Sequence, residues 1–194
     1  MVISTQRLSI HDVAAFILRE CGRMSTMKLQ KLAYYAQSWA LVLLGRQLFP
    51  EDFKAWVEGP VCPALYARHR GQFHVSSWPI GNADALAADE SDCVRRVLRA
   101  YSNKSGRWLS DLTHREAPWV DARAGLAPDD LSRQPIAKDA MRNYYAGADT
   151  IEARIVSGHS NPLLDFIETM SDDESALVET LAERDLLDPV TEEP

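Results

Sequence analysis

A chain of 194 residues with 46% hydrophobic and 25% charged side chains has ordinary globular composition and is long enough to bury a real core. Its net charge of −7 is concentrated at one end, since residues 171–194 hold nine acidic side chains and one basic one, leaving the rest near neutral. No basic stripe is present, which argues against nucleic acid as the main partner, and three widely spaced cysteines, Cys21, Cys62 and Cys93, exclude a disulfide framework or a paired-cysteine zinc site.

Ser9-Ile-His-Asp12 predicts a capping box opening a helix through Val13, Phe16 and Ile17 that ends near Gly22. Thr26 is placed to cap a second helix that runs to Leu44 and stops at Gly45. At about 100° per residue, Leu29, Leu32, Ala36, Trp39, Ala40 and Leu43 share one arc, with Lys28, Lys31 and Tyr35 beside it. The expectation is a core helix with a basic-aromatic shoulder. Phe53 to Val57 reads as a short extended piece. Gly59-Pro60 then turns the chain, glycine permitting the turn and proline presetting the first turn of a helix through Leu65 and Tyr66 to Gly71.

Residues 73–79 are expected to be extended or irregular. A helix over 89–102 buries Val94, Val97, Leu98 and Tyr101, with Arg95, Arg96 and Arg99 on its outer side. The next helix spans Gly106 to Glu116 and ends there because Ala117 precedes Pro118. Pro135 suits the first turn of a helix over 135–146 that closes at Gly147. Beyond it, Ile151–Val156 reads as a strand, 162–170 as a short helix and 175–187 as an acidic helix. The fold class is mainly α (α+β): a compact single helical domain with a small β element over 1–147, and an acidic C-terminal extension over 148–194. No apolar run approaches the ~18 residues of a membrane span, and the first residues show no secretory pattern, so no membrane association and a cytoplasmic location are expected.

One cluster has acid–base potential: Asp111, His114 and Glu116. On a helix, Asp111 and His114 are three apart and able to hydrogen-bond. No nucleophile or metal motif accompanies them, so a small hydrolase using His114 and Glu116 competes with a structural role, anchoring a helix end to Pro118-Trp119. His69 and His74 do not form a zinc spacing with Cys62, and the glycines are scattered singly rather than gathered into a phosphate loop. No metal and no cofactor are expected. Lys28, Lys31, Tyr34 and Tyr35 are candidate partner contacts, because amphipathic aromatics beside basic stems typify contact surfaces. A Lys31→Glu, Tyr35→Ala double variant is therefore expected to keep the fold and lose the partner. For Trp56, Tyr66 and Trp119 a core role competes with contact, and Gly59 and Pro60 fix the angle of the corner that presents them.

These blocks also carry a resemblance. Lys28-Leu-Gln-Lys-Leu-Ala-Tyr-Tyr-Ala-Gln37, Leu48-Phe49, Phe53-x-Ala-Trp56, Gly59-Pro-Val-x-Pro-x-Leu-Tyr66, Leu112-Thr-His-x-Glu-x-Pro-Trp119 and the stretch from Ile136 to Tyr144-Tyr145 resemble the Panacea domain family. That family includes SocA-type antitoxins and phage-associated GepA-like proteins. The resemblance implies a non-enzymatic antitoxin domain that neutralises a cognate toxin, encoded beside it, through direct protein contact. It also implies an alternative, an adaptor that delivers the toxin to an ATP-dependent protease, and it is compatible with an oligomer formed with the toxin or with itself. Partner contacts are expected around Lys28, Lys31, Tyr34, Tyr35, Trp56, Pro60 and Tyr66. The segment after Gly147 lies outside the matched blocks. Its acidic side chains suit either solubilisation or masking of a basic toxin site.

Overall fold

In the computed structural model, which describes residues 8–159, the chain runs α1 (Ile10–Cys21), β1 (Met24–Ser25), α2 (Thr26–Leu43), β2 (Lys54–Trp56), β3 (Gly59–Val61), α3 (Pro63–His69) and β4 (His74–Val75). A 3₁₀ turn at Ala83–Ala85 follows, then α4 (Ala88–Tyr101), α5 (Gly106–Thr113), α6 (Ala117–Ala122), α7 (Lys138–Ala146) and α8 (Ile151–Ser157). The mainly α class with small β elements is what the structure shows. The chain divides at Gly158, and the unit up to that residue is the one described below. The expected helices at 162–170 and 175–187 lie outside the described residues.

Helix α2 is the hub. Every residue from Leu29 to Leu41 is buried, because α1, α4, α5 and α7 pack around it and leave no face for water. Its N-cap is Ser25, whose hydroxyl accepts from Lys28 N, and not Thr26, which starts the helix and donates its own hydroxyl to the Gln72 carbonyl. The capping box of α1 forms as expected: Ser9 accepts from Asp12 N while the Asp12 carboxylate accepts from Ser9 N at 2.9 Å. Helix α4 turns Cys93, Val94, Val97, Leu98 and Tyr101 inward and leaves Arg95 and Arg99 outside.

Two antiparallel pairs supply the β structure, β1 with β4 and β2 with β3. Pro60 belongs to β3, opposite Ala55, and not to a helical first turn; that position is taken by Pro63 at the start of α3. The reason is hydrogen bonding. Ala55 sends its N–H to the Gln134 carbonyl at 2.9 Å and its own carbonyl accepts from Arg123, so both groups point away from β3. Ala55–Pro60 is thus a pair that exchanges no ladder hydrogen bonds, and the missing proline N–H leaves nothing unpaired.

Three other expectations are corrected. The helix from Gly106 stops at Thr113, and Pro118 opens α6 in its first turn, where a proline needs no N–H donor. Pro135 pairs with Lys54 beside β2, and α7 begins only at Lys138. Ile151–Val156 is helical: Thr150 caps it by accepting from Ala153 N at 3.1 Å, and Ala153 and Val156, one turn apart, are its buried residues, on a helix packed against α4.

Candidate functional site: a polar interior around one helix

The polar residues of α2 face neighbouring loops, not solvent. Gln30 uses its side-chain amide as a backbone mimic, accepting from Cys62 N at 2.9 Å and donating to Cys62 O at 3.3 Å. Gln37 does the same two turns along the same face, accepting from Leu48 N at 2.9 Å and donating to Phe49 O at 2.8 Å. Between them Lys31, only 1% exposed, donates to the Glu58 and Pro60 carbonyls at the β2–β3 turn. Each side chain satisfies the backbone of a segment that would otherwise be buried with unpaired groups. Burial lowers the Lys31 pKa to about 7, with the nearby Glu58 carboxylate pulling the other way.

Gly59 completes this arrangement. Its φ of +92° is a glycine conformation, and a Cβ there would lie 2.5 Å from Lys31 Nζ and 2.7 Å from Thr113 Oγ1. The Gly-Pro corner is therefore fitted to the lysine as well as to the turn.

On another side of α2 stands a carboxyl group among tyrosines. Glu116, 5% exposed, accepts from Tyr145 Oη at 2.6 Å and from Tyr35 Oη at 3.3 Å. Tyr35 stacks on Tyr101 with ring centroids 4.2 Å apart, and Trp39 Nε1 donates to Tyr101 Oη at 3.4 Å. The Tyr34 hydroxyl is buried with no partner among the described residues, a desolvation cost that the packing around it has to offset.

Burial raises the Glu116 pKa to about 8, against the lowering effect of the two tyrosine hydroxyls. Between about pH 4.5, the ordinary carboxyl value, and about pH 8 the folded state holds a proton that the unfolded state releases. Rising pH in that window costs stability, at most roughly 1.4 kcal/mol per pH unit. Glu116→Gln, which copies the protonated acid in shape, is expected to lose this slope. Urea midpoints of the two proteins measured from pH 5 to pH 8 should diverge in favour of the variant as pH rises. Parallel curves would show that Glu116 is ionised in the fold.

His114 and Glu116 do not converge. His114 lies against the Trp119 ring at 4.3 Å, its Nε2 buried with no partner among the described residues. Burial and then the Lys31 charge hold its pKa below the ordinary imidazole value. The Asp111 carboxylate is taken by Arg107 at 3.1 Å and does not orient the imidazole. Trp119 donates from Nε1 to the Trp56 carbonyl at 3.0 Å, and Pro118 is buried in the first turn of α6.

The expected basic-aromatic shoulder is thus interior: Lys31, Tyr34 and Tyr35 are core residues, and Pro60 is buried with them. Lys28 is half-buried and donates to the Ser102 carbonyl at 2.6 Å. Trp56 and Tyr66 keep partly exposed edges and meet each other edge to face at 4.9 Å. Arg123 is the residue that sequence patterns missed. Its guanidinium is buried and donates to the carbonyls of Ala55, Ala127, Pro128 and Asp130, fixing the loop after α6 to β2. A lone arginine between alanines gives no periodic signal of this.

Among the described residues no group of three or more His, Cys, Asp or Glu side chains is placed to hold a metal ion, and no helix is long and apolar enough to cross a membrane. What fold and site define is a helical domain whose signature side chains clamp its own loops. Residues 29–120, from α2 to α6, match the family model described as antitoxin SocA-like, Panacea domain. The match supports an antitoxin role in general and points to a non-enzymatic one. Neither curated proteins nor solved structures give a significant match.

Proposed function

We propose that this protein is an antitoxin that binds and neutralises a protein toxin encoded beside it. The family match over residues 29–120 carries this reading. Three features of the structure support it: the acid–base candidates serve the fold separately, the Panacea signature builds a rigid scaffold, and partly exposed aromatics flank that scaffold. Within it, Trp56 and Tyr66 offer contact edges next to the Gly59-Pro60 corner, and Lys28 is half-buried in the first turn of α2. The interior residues Lys31, Tyr34, Tyr35 and Pro60 act on the partner by holding those edges in place.

Co-expression with the adjacent open reading frame tests the proposal. Growth arrest by the neighbour alone, with recovery when this chain is present, is the expected result. A harmless neighbour, or a toxic one that this chain does not relieve, would overturn it. The same cultures separate masking from delivery to an ATP-dependent protease: masking leaves the toxin's half-life unchanged, whereas an adaptor shortens it.

A further inference from the structure

The corner between α3 and β4 combines features that the packing of the domain does not explain. Phe73 is 77% exposed and Ile80 is 49% exposed, a large apolar surface for two neighbouring loop positions. Ile80 borders a groove of about 290 Å³ whose lining includes Arg68, Gln72, Val75, Trp78 and Pro79, and Phe73 lies next in sequence to Gln72. Its floor is rigid. Trp78 is buried and donates from Nε1 to His11 Nδ1 at 3.1 Å, and Gly81 N–H closes the turn on the Trp78 carbonyl at 3.1 Å. Asn82 N–H is held by the Asp12 carboxylate at 2.7 Å, so the turn is fastened to the start of α1.

One lining residue, Arg68, is cationic, with Arg70 two positions along the chain and Arg23 just before β1, the partner strand of β4. All three are exposed and make no ion pair among the described residues, whereas Arg19, Arg46, Arg95 and Arg96 each have a carboxylate partner. The strand edge is open as well. Thr26 N–H donates to the Phe73 carbonyl at 3.0 Å, so the alternation of the antiparallel ladder turns the His74 N–H and C=O away from β1. An extended chain laid along that edge finds backbone partners at His74, an apolar slot over Val75 and Trp78, and unpaired arginines for its carboxylates.

We propose that the α3–β4 corner is a docking groove for an extended acidic segment of a partner protein, one that also places an apolar side chain between Trp78 and Ile80. Charge complementarity selects this occupant: a basic or neutral segment would leave Arg68 and Arg70 facing like charge or nothing. The ring contacts that run from Tyr66 to His69 at 5.4 Å and from His69 to Trp78 at 6.4 Å join the groove to the Trp56–Tyr66 edge.

The test uses the full-length chain and two fluorescein-labelled octapeptides, one alternating Asp and Leu, the other alternating Lys and Leu. Saturable polarisation with the acidic probe, weakening as salt is added, is expected, with none for the basic probe. Arg68→Glu/Arg70→Glu and Ile80→Ser/Phe73→Ser should each weaken binding by about tenfold or more, with unchanged far-ultraviolet dichroism because all four side chains are exposed. Equal binding of both probes, or an acidic probe indifferent to both double variants, would overturn the proposal. So would concentration-dependent self-association abolished by Ile80→Ser/Phe73→Ser, which would assign the face to a second copy of this chain. No toxin enters the measurement, so its failure leaves the antitoxin reading standing, and failed rescue in cells leaves the groove standing.

Discussion

Replacing Lys31 by glutamate is expected to unfold the domain. The lysine Nζ sits between the carbonyls of Glu58 and Pro60 in a position almost closed to water. A carboxylate there would face two acceptors with no donor and no solvation. Breaking a buried polar arrangement this way costs more than about 4 kcal/mol, a large share of the roughly 5–15 kcal/mol that holds a domain together. Lys31→Met should behave differently. Both carbonyls lose the lysine, but the Glu58 carbonyl keeps the Ser110 hydroxyl at 2.8 Å, so the net cost rests on the Pro60 carbonyl, about 1 kcal/mol. Urea unfolding followed by dichroism separates the two, and a glutamate variant as stable as the parent would show that Lys31 reaches solvent. The Lys31→Glu, Tyr35→Ala variant, expected from helical spacing to keep its fold, is therefore expected to lose it. Any loss of neutralisation would then report unfolding and not a missing contact.

Gly81→Ala is expected to be nearly as damaging, for a reason unrelated to backbone torsion. A Cβ at this position would stand 1.9 Å from the His11 carbonyl oxygen and 2.9 Å from Asp12 N, both main-chain atoms of α1. Neither neighbour is the tip of a flexible side chain, so the turn has to move away from the helix. That movement strains the Asn82–Asp12 and Trp78–His11 hydrogen bonds together. Overpacking against backbone supports a loss of about 3 kcal/mol, readable as a lower urea midpoint. Gly147→Ala is the matched control, because its nearest atoms are 3.9 Å off, and it should shift stability by less than about 0.5 kcal/mol. Equal effects of the two substitutions would show that the turn is not seated against α1.

The helices with one wet face were the easiest to read. In α1 and α4 the apolar residues recur at helical spacing because one side meets water, and the Ser9–Asp12 cap is entirely local. Helix α2 defeated the same logic. With packing on every side its polar residues mark loops to be held, and spacing alone cannot tell a glutamine aimed at Cys62 from one aimed at solvent. Gly59 was legible as a turn residue but not as the neighbour of Lys31, since that proximity joins positions 28 residues apart. The stretch Ile151–Val156 alternates enough to pass for a strand, and its seat on α4 together with the Thr150 cap and the left-handed Gly158 decides for helix. Arg123 works through four carbonyls from distant parts of the loop and β2, a pattern with no sequence spacing at all.

The inward direction of Gln30, Lys31, Tyr35 and Gln37 has a consequence for how such proteins can diversify. Gln30, Lys31, Tyr35 and Gln37, all within the matched residues, are spent on the domain's own interior, whereas Trp56 and Tyr66 keep partly exposed edges and further exposed side chains lie on the outer sides of α3, the β2–β3 turn and the 73–80 loop. On the proposed antitoxin reading, one such scaffold can be re-addressed to a different target by changing its exposed side chains. Grafting the outer residues of this chain onto a second Panacea scaffold should transfer its choice of target along with them.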